Sequence, residues 1–267
     1  EKYSDSCLDT FDTVTTIVAY TTDAEEFEAY FQLAHRRFQE LHRLYDIYRE
    51  YPGLNNMKTI NENAGIGPVK VDKDIIDLIL FAREWYDKTA GKTNIAMGPV
   101  LRIWHGYREE AKYNPWEARL PDLAVLRASS LYTDIHDIQV DLKANTIYLP
   151  HREMQLDVGA VAKGYATELV ALELEAAGLK SALISAGGNI RAIGKPLDGV
   201  RERWGVGIQD PNASIMEDDN LLDVVFVDGA SVVTSGDYHR YYVVDDQVLH
   251  HIIDPATLMS GTYYQAV

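Results

Sequence analysis

The stretch DVGAVAKGYATELVALELEAAGLKSALISAGGNIR, Asp157 to Arg191, decides the fold class. A small, glycine-containing helix start at Asp157 leads through a helical stretch into the apolar strand Leu183-Ile184. A paired-glycine turn at Gly187-Gly188 and further strands follow. The change from helical to strand period predicts a chain that mixes both elements in one core. Upstream, the Thr/Val/Ile-rich run Leu8 to Tyr20 reads as a strand, and Asp23 caps a helix from Ala24 to about Tyr48. In that helix Phe27, Tyr30, Phe31, Ala34, Phe38, Leu41 and Tyr45 recur at three- and four-residue steps, while Glu25, Arg36, Arg37 and Glu40 face water. Pro52-Gly53 and Asn55-Asn56 mark a loop. Asp72 caps a second helix to about Thr89, ended at Gly91. Helices over Gly98 to Tyr107 and Pro121 to Ser130 come next, then a hairpin from Ile135 to Leu149 turning at Lys143-Ala144-Asn145.

Composition narrows the function. The 267 residues hold 41 Asp+Glu against 25 Lys+Arg, a formal charge of −16, with no basic run. That balance argues against a nucleic-acid binder. With 46% hydrophobic residues the chain holds enough apolar material for a large core. No apolar run approaches the ~20 residues that cross a bilayer, so the sequence as written reads as soluble. A signal segment preceding this numbering stays open. Cys7 is the only cysteine, which argues against a disulfide framework and a cysteine-built zinc site; near an acidic, mobile end it is a poor nucleophile.

Four clusters combine glycine, small hydroxylated residues and ionisable groups. Asp157 to Tyr165 presents a helix start to an anion with Lys163 one turn on, unless Asp157 is only a cap. Ser185 to Arg191 is either a tight turn or a place where backbone approaches a ligand, with the Asn189 amide positioned to read a ring edge. Thr234 to Tyr241 breaks a strand at Gly236 and offers Asp237, His239 and Arg240. In His250 to Thr257, His251 and Asp254 stand three apart before a proline-fixed turn, a spacing that suits an acid/base and the carboxylate that orients it. His250 and His239 read as surface or supporting groups, and a two-His metal site lacks a third ligand at regular spacing. His35 and His42 read as part of a solvated helix face.

In this order the clusters resemble the ApbE-like flavin transferases (FAD:protein FMN transferase). The D-x-G-x-x-A-K-G-Y motif is matched by Asp157 to Tyr165, and G-G-D-I-R by Gly187 to Arg191 with Asn189 for Asp. S-G-D-Y-x-R-Y is matched by Ser235 to Tyr241, and H-I-I-D-P-x-T-G by His251 to Thr257 with Leu258 where glycine is usual. Weaker matches are Phe11-Asp12-Thr13 for M-G-T, Tyr45 to Tyr48, Ile60-Asn61 for L-N, and Thr93 to Pro99 for F-D-P-T-V-G-P.

The resemblance implies a single α+β, T-fold-like domain over residues 1–267, with two interleaved lobes and a cleft that holds FAD. It implies Mg²⁺-dependent transfer of FMN from FAD to a Thr or Ser hydroxyl of an acceptor redox protein, with release of AMP. His251 would be the base. Flavin or phosphate contacts would come from Phe11, Tyr48, Asn61, Thr93, Asn94, Ile95, Asp157, Lys163, Gly187, Gly188, Asn189, Ser235, Gly236, Asp237 and Ile253. A backbone carbonyl at Ala160 would meet Mg²⁺. Family members work mostly outside the cytoplasm, often through an upstream lipid anchor. They also continue into an A-D-A-x-x-T helix that completes the metal site, a segment not reached by Val267. Non-catalytic FAD binding, and FAD hydrolysis to FMN and AMP, are the alternatives. Asn94 and Asn189, each in place of a usual Asp, would remove negative charge from the cleft.

Overall fold

The computed structural model describes residues 1–213, 220–237 and 240–267. The protein is α+β, and its contacts divide it into two compact units woven along the chain. One unit comprises Glu1–His42, Lys163–Ser235 and Ala266–Val267; the other comprises Arg43–Ala162 and Gly236–Gln265.

The first unit is built on a five-stranded antiparallel sheet. Its strands are β1 (Lys2–Thr10), β2 (Thr13–Tyr20), β6 (Ala182–Ala186), β7 (Asn189–Ile193) and β10 (Ser231–Val233), in the order β1-β2-β6-β7-β10. Burial alternates along it: Thr15, Ile17 and Ala19 of β2 and Ala182, Ile184 and Ala186 of β6 are inside. That alternation is the mark of a sheet covered on one face. The predicted strand over Leu8 to Tyr20 is two strands, reversing at Phe11 and Asp12 with φ of 53° and 50°. Neither residue is glycine, so the turn lacks the usual sequence mark of a two-residue hairpin. Cys7 lies within β1 and not on a loose end.

Helix α1 (Ala24–Tyr45) begins with Asp23 accepting the Glu26 N–H at 2.9 Å, as predicted, and stops three residues short of Tyr48. Its stripe Phe27, Phe31, Ala34, Phe38 and Leu41 is buried, while Tyr30 is half-buried. Arg37 is not merely solvated, since it pairs with Glu40 and with Glu173 of α6 (Ala162–Ala176). His35 and His42 also depart from the predicted solvated face. His35 Nε2 lies 2.8 Å from Asp9 Oδ1, and His42 Nδ1 accepts the Phe11 N–H at 3.2 Å. The buried Arg191 guanidinium on β7 pairs with Glu168 at 2.8 Å and Glu175 at 3.5 Å on α6, holding helix to sheet. A separate hairpin joins β8 (Trp204–Gln209) and β9 (Leu221–Val227).

The second unit is mainly helical: α2 (Met57–Glu62), α3 (Lys73–Lys88), α4 (Gly98–Tyr113) and α5 (Leu123–Ser130). Helix α2 follows directly on the predicted loop at Pro52 to Asn56, in a stretch where the sequence predicted no helix. Asn56 caps the Thr59 N–H and Thr59 returns the bond, a capping box written with Asn and Thr. Asp72 caps α3 and Gly91 follows its end with φ of +80°, as expected. Helix α4 runs six residues past the predicted Tyr107, and α5 starts at Leu123 behind an Asp122 cap. The predicted hairpin contracts to β4 (Gln139–Asp141) and β5 (Thr146–Tyr148), which join β3 (Val69–Lys70) in one small sheet. Helices α4 and α5 share a core of Met97, Val100, Trp104, Ala111 and Leu126 with Tyr242 and Leu249 of the hairpin β11 (Tyr241–Val244) and β12 (Gln247–His250) and with Leu258. The Trp104 indole donates to the Leu258 carbonyl at 2.9 Å, fixing the chain after β12 to α4.

Candidate functional site

Most of the predicted ligand residues in the second unit converge on the loop before α6. The helix begins at Ala162, so Asp157 is not its cap as predicted. Asp157 Oδ1 accepts the Gly159 N–H at 2.9 Å instead, and the Val158 carbonyl takes the N–H groups of Val161 and Ala162. A short Asp side chain that satisfies a backbone donor two residues on competes with helix, which moves the start to Ala162. The Asp157 N–H donates to the Ile95 carbonyl at 2.8 Å, so these two predicted residues meet directly. Asn61 brackets Leu156 one residue earlier, donating to its carbonyl at 3.0 Å and accepting its N–H at 2.7 Å. The Asn61 amide therefore clamps the loop at Leu156. Asn94 likewise spends its side chain internally, on the Ala96 N–H at 2.8 Å and the Thr133 carbonyl at 2.9 Å. Thr93 is half-buried and Ile95 fully buried.

What this loop presents is oxygen. Ala160 is exposed at the turn, and the half-buried Asp157 carboxyl is pushed above the usual range by burial, opposed by the Gly159 N–H and the positive fields of His105 and Arg108. Both lie on α4 and were not singled out in the sequence. Arg108 Nη2 donates to His105 Nδ1 at 2.8 Å, and burial lowers the pKa of His105 further than Arg108 does. The His105 ring packs 5.9 Å from that of Tyr48, a residue 63% exposed. The i, i+3 spacing of His105 and Arg108 was the only trace in the sequence.

At the end of β12 and just after it, His250 takes the supporting role read for it, while Asp254 departs from prediction. His250 is buried at 6% exposure, accepts the Ile252 N–H at Nδ1 (3.1 Å) and donates from Nε2 to the Gly261 carbonyl, so it is a structural residue. Asp254 does not orient His251. It accepts from Lys92 at 2.8 Å, Tyr263 at 2.6 Å and the Ala256 N–H at 2.8 Å, and the Lys92 ammonium foremost holds its pKa down at about 2. His251 itself is half-buried; its N–H donates to the Arg240 carbonyl at 3.0 Å, and its buried Nδ1 has no partner among the described residues. Burial first, then the charges of Arg240 and Arg108, lower its pKa to about 4. Ile253 and Gly236 are half-buried, and the half-buried Asp237 donates its N–H to Gln265. Tyr238 and His239 of the third motif lie outside the described residues.

In the first unit the Gly-Gly pair is a tight turn between β6 and β7, with φ of +51° at Gly187 and +87° at Gly188. Close approach also requires glycine: a Cβ at Gly187 would stand 2.1 Å from Thr13 Oγ1. Lys163 Nζ reaches the Gly187 carbonyl at 3.3 Å, so the start of α6 and the glycine turn meet. Asn189 turns its amide N–H to the Ala186 carbonyl at 3.2 Å, closing the turn rather than aiming outward. The Phe11 ring packs edge-on to Phe38 and His42. Ser235 exchanges both backbone bonds with Val267 at 2.9 Å.

A sequence model of the ApbE family matches residues 11–267. The chain belongs to the ApbE family. Among its relatives, a FAD:protein FMN transferase of Klebsiella pneumoniae (strain 342) is 31% identical over 84% of this chain and 65% of its own length. One of Treponema pallidum (strain Nichols) is 35% identical over 75% of this chain and 56% of its own. The chain thus spans about three-fifths of the length of these relatives. In fold, the crystal structure of the ApbE protein of Thermotoga maritima aligns with all of this chain and 80% of its own, at a TM-score of 0.83 and 23% identity. Pseudomonas stutzeri flavinyl transferase ApbE, in its apo form, aligns at 0.77 and 21% identity over 97% of this chain and 76% of its own.

Proposed function

We propose that the protein to which this chain belongs transfers FMN from FAD to a Thr or Ser hydroxyl of an acceptor redox protein in the presence of Mg²⁺, releasing AMP. The observation that carries the reading is His251. Its buried Nδ1 has no hydrogen-bond partner among the described residues, and a pKa lowered to about 4 keeps the ring neutral, and so able to take a proton, at working pH. In the reaction the acceptor oxygen forms a bond to the FMN-side phosphorus, the P–O bond to AMP breaks, AMP leaves as an anion, and the hydroxyl proton passes to the imidazole.

The half-buried Asp157 carboxylate and the exposed turn at Ala160 offer hard oxygen donors, and that donor set fits Mg²⁺. Bound there, Mg²⁺ would supply neutralisation of charge on the pyrophosphate. Lys163 adds a positive charge for phosphate, while Phe11 and Tyr48 supply aromatic surface for flavin rings. Thr93, Asn94, Ile95, Asn61, Gly187, Gly188, Asn189, Ser235, Gly236, Asp237 and Ile253 are assigned by motif; for Asn61, Asn94 and Asn189 the observed bonds favour shaping the loops over touching ligand. The proposed setting is extracytoplasmic, with lipid attachment upstream, and cell fractionation tests it.

The experiment is AMP release from FAD with Mg²⁺, measured with and without an acceptor carrying the modified Thr or Ser. Transfer requires AMP only with acceptor. AMP without acceptor makes the protein a hydrolase, and bound FAD with no AMP in either arm makes it a flavin-binding protein.

A further inference from the structure

Outside the flavin motifs, β1 and α1 bring three metal-ligating side chains together in the first unit. On β1, Cys7 pairs with Thr15 and the register then shifts before Thr10, so Asp9 sits in an irregular step of an edge strand. On α1, His35 rests against the Phe31 ring and directs Nε2 to Asp9 Oδ1 at 2.8 Å. The donor atoms of Cys7, Asp9 and His35 all lie within 4.8 Å of one another. Gln39, one turn on, donates to Asp9 Oδ2 at 2.6 Å and fixes the carboxylate from outside.

We infer that Cys7, Asp9 and His35 form a binding site for one divalent cation of borderline softness, zinc in kind, with a fourth position left for water. The argument is donor chemistry and distance. Sulfur, imidazole nitrogen and carboxylate oxygen are the three zinc donors, with bonds of roughly 2.0 to 2.3 Å; tetrahedral placement then needs donors about 3.3–3.7 Å apart. Side-chain adjustments of about an ångström reach that from the observed spacing, the imidazole and carboxylate parting slightly and the thiol closing in. Such a thiolate set disfavours Mg²⁺, which takes oxygen. The single-cysteine rule excluded only sites built from several thiols; the other two ligands come from a strand position two residues on and a helix 26 residues further. Bound metal would fasten the edge strand β1 to α1.

The test titrates the reduced, metal-free protein with Co²⁺ and then Zn²⁺. Cys7 is the only thiol, so any thiolate-to-cobalt charge-transfer band reports this site. Expected are that band and intense tetrahedral visible bands saturating at one equivalent, displaced by Zn²⁺ and indifferent to excess Mg²⁺. Cys7→Ser removes the charge-transfer band, His35→Gln and Asp9→Asn each weaken binding by about tenfold or more, and Gln39→Ala weakens it by about 10–100-fold as an outer partner. No saturable band in the unaltered protein overturns the inference. So does a band whose affinity is unchanged in both His35→Gln and Asp9→Asn, which would mean a thiolate acting alone.

Discussion

A buried polar atom without a partner costs about 1–3 kcal/mol; among the described residues His251 Nδ1 has none, while its neighbour His250 has both ring nitrogens bonded. The contrast distinguishes the proposed base from the structural residue beside it, which the His250-His251 pair in the sequence did not. His251→Ala is expected to abolish transfer while FAD binding, followed by flavin fluorescence, persists; retained transfer removes His251 from the chemistry. Because the folded pKa is about 4 against an ordinary 6.5, the imidazole stays neutral through the physiological range. The acid limb of the pH–rate profile should then fall well below pH 6, and Arg240→Gln should move it upward by removing a repelling charge. Linkage adds a second signature. The fold disfavours the protonated ring, so this group costs stability as pH falls from about 6.5 towards about 4. Asp254 acts in a lower window: its depressed pKa, about 2 against 3.8, contributes stability that is present above the unfolded value and lost as pH falls through about 2. Lys92→Met should therefore lower the thermal midpoint at pH 7 and change little at pH 2; equal losses at both would contradict the pairing.

Between elements, the loop from Leu156 to Val161 is held by contacts that short motifs do not announce. Gly98 at the start of α4 lies so near this loop that a Cβ would stand 2.2 Å from the Gln155 carbonyl. Gly98→Ala should cost about 1–3 kcal/mol in urea unfolding, as overpacking does, and weaken FAD binding by moving the loop. Asn61→Ala leaves a carbonyl and an N–H of Leu156 unpaired, for about 1–3 kcal/mol and a weaker FAD complex. Unchanged stability in both variants would refute the clamp. The sequence made the long helices legible because their stripes and the Asp23, Asp72 and Gly91 signals agree. It hid the β1–β2 turn because Phe11 and Asp12 adopt positive φ without glycine, and it hid α2 because Asn56 and Thr59 replace the usual Ser and Glu of a capping box. Asp157 does not announce where α6 starts, because an Asx turn and a helix cap carry the same residue types. His105, Arg108 and Lys92 had no motif to mark them; their roles arise from distant partners such as Tyr48 and Asp254.

Over the whole molecule, a charge of −16 means that any anionic dinucleotide must be met by local positive groups and not by the overall field. Lys163 beside the glycine turn is one positive group of the first unit, and in the second the fields of Arg108 and Arg240 reach His251. The four ordered motifs made the family legible, because each fixes backbone or donor chemistry at set spacing. They did not reveal which motif residues hold loops and which face ligand, a division set by hydrogen bonds over long sequence separations such as Asn61 to Leu156. The most direct test is the intact mass of an acceptor protein after incubation with the full-length protein, FAD and Mg²⁺. Transfer predicts a gain of one FMN on the acceptor, absent with His251→Ala and lost when the acceptor Thr or Ser is changed to Ala. An unmodified acceptor in the presence of protein with FAD demonstrably bound would contradict it.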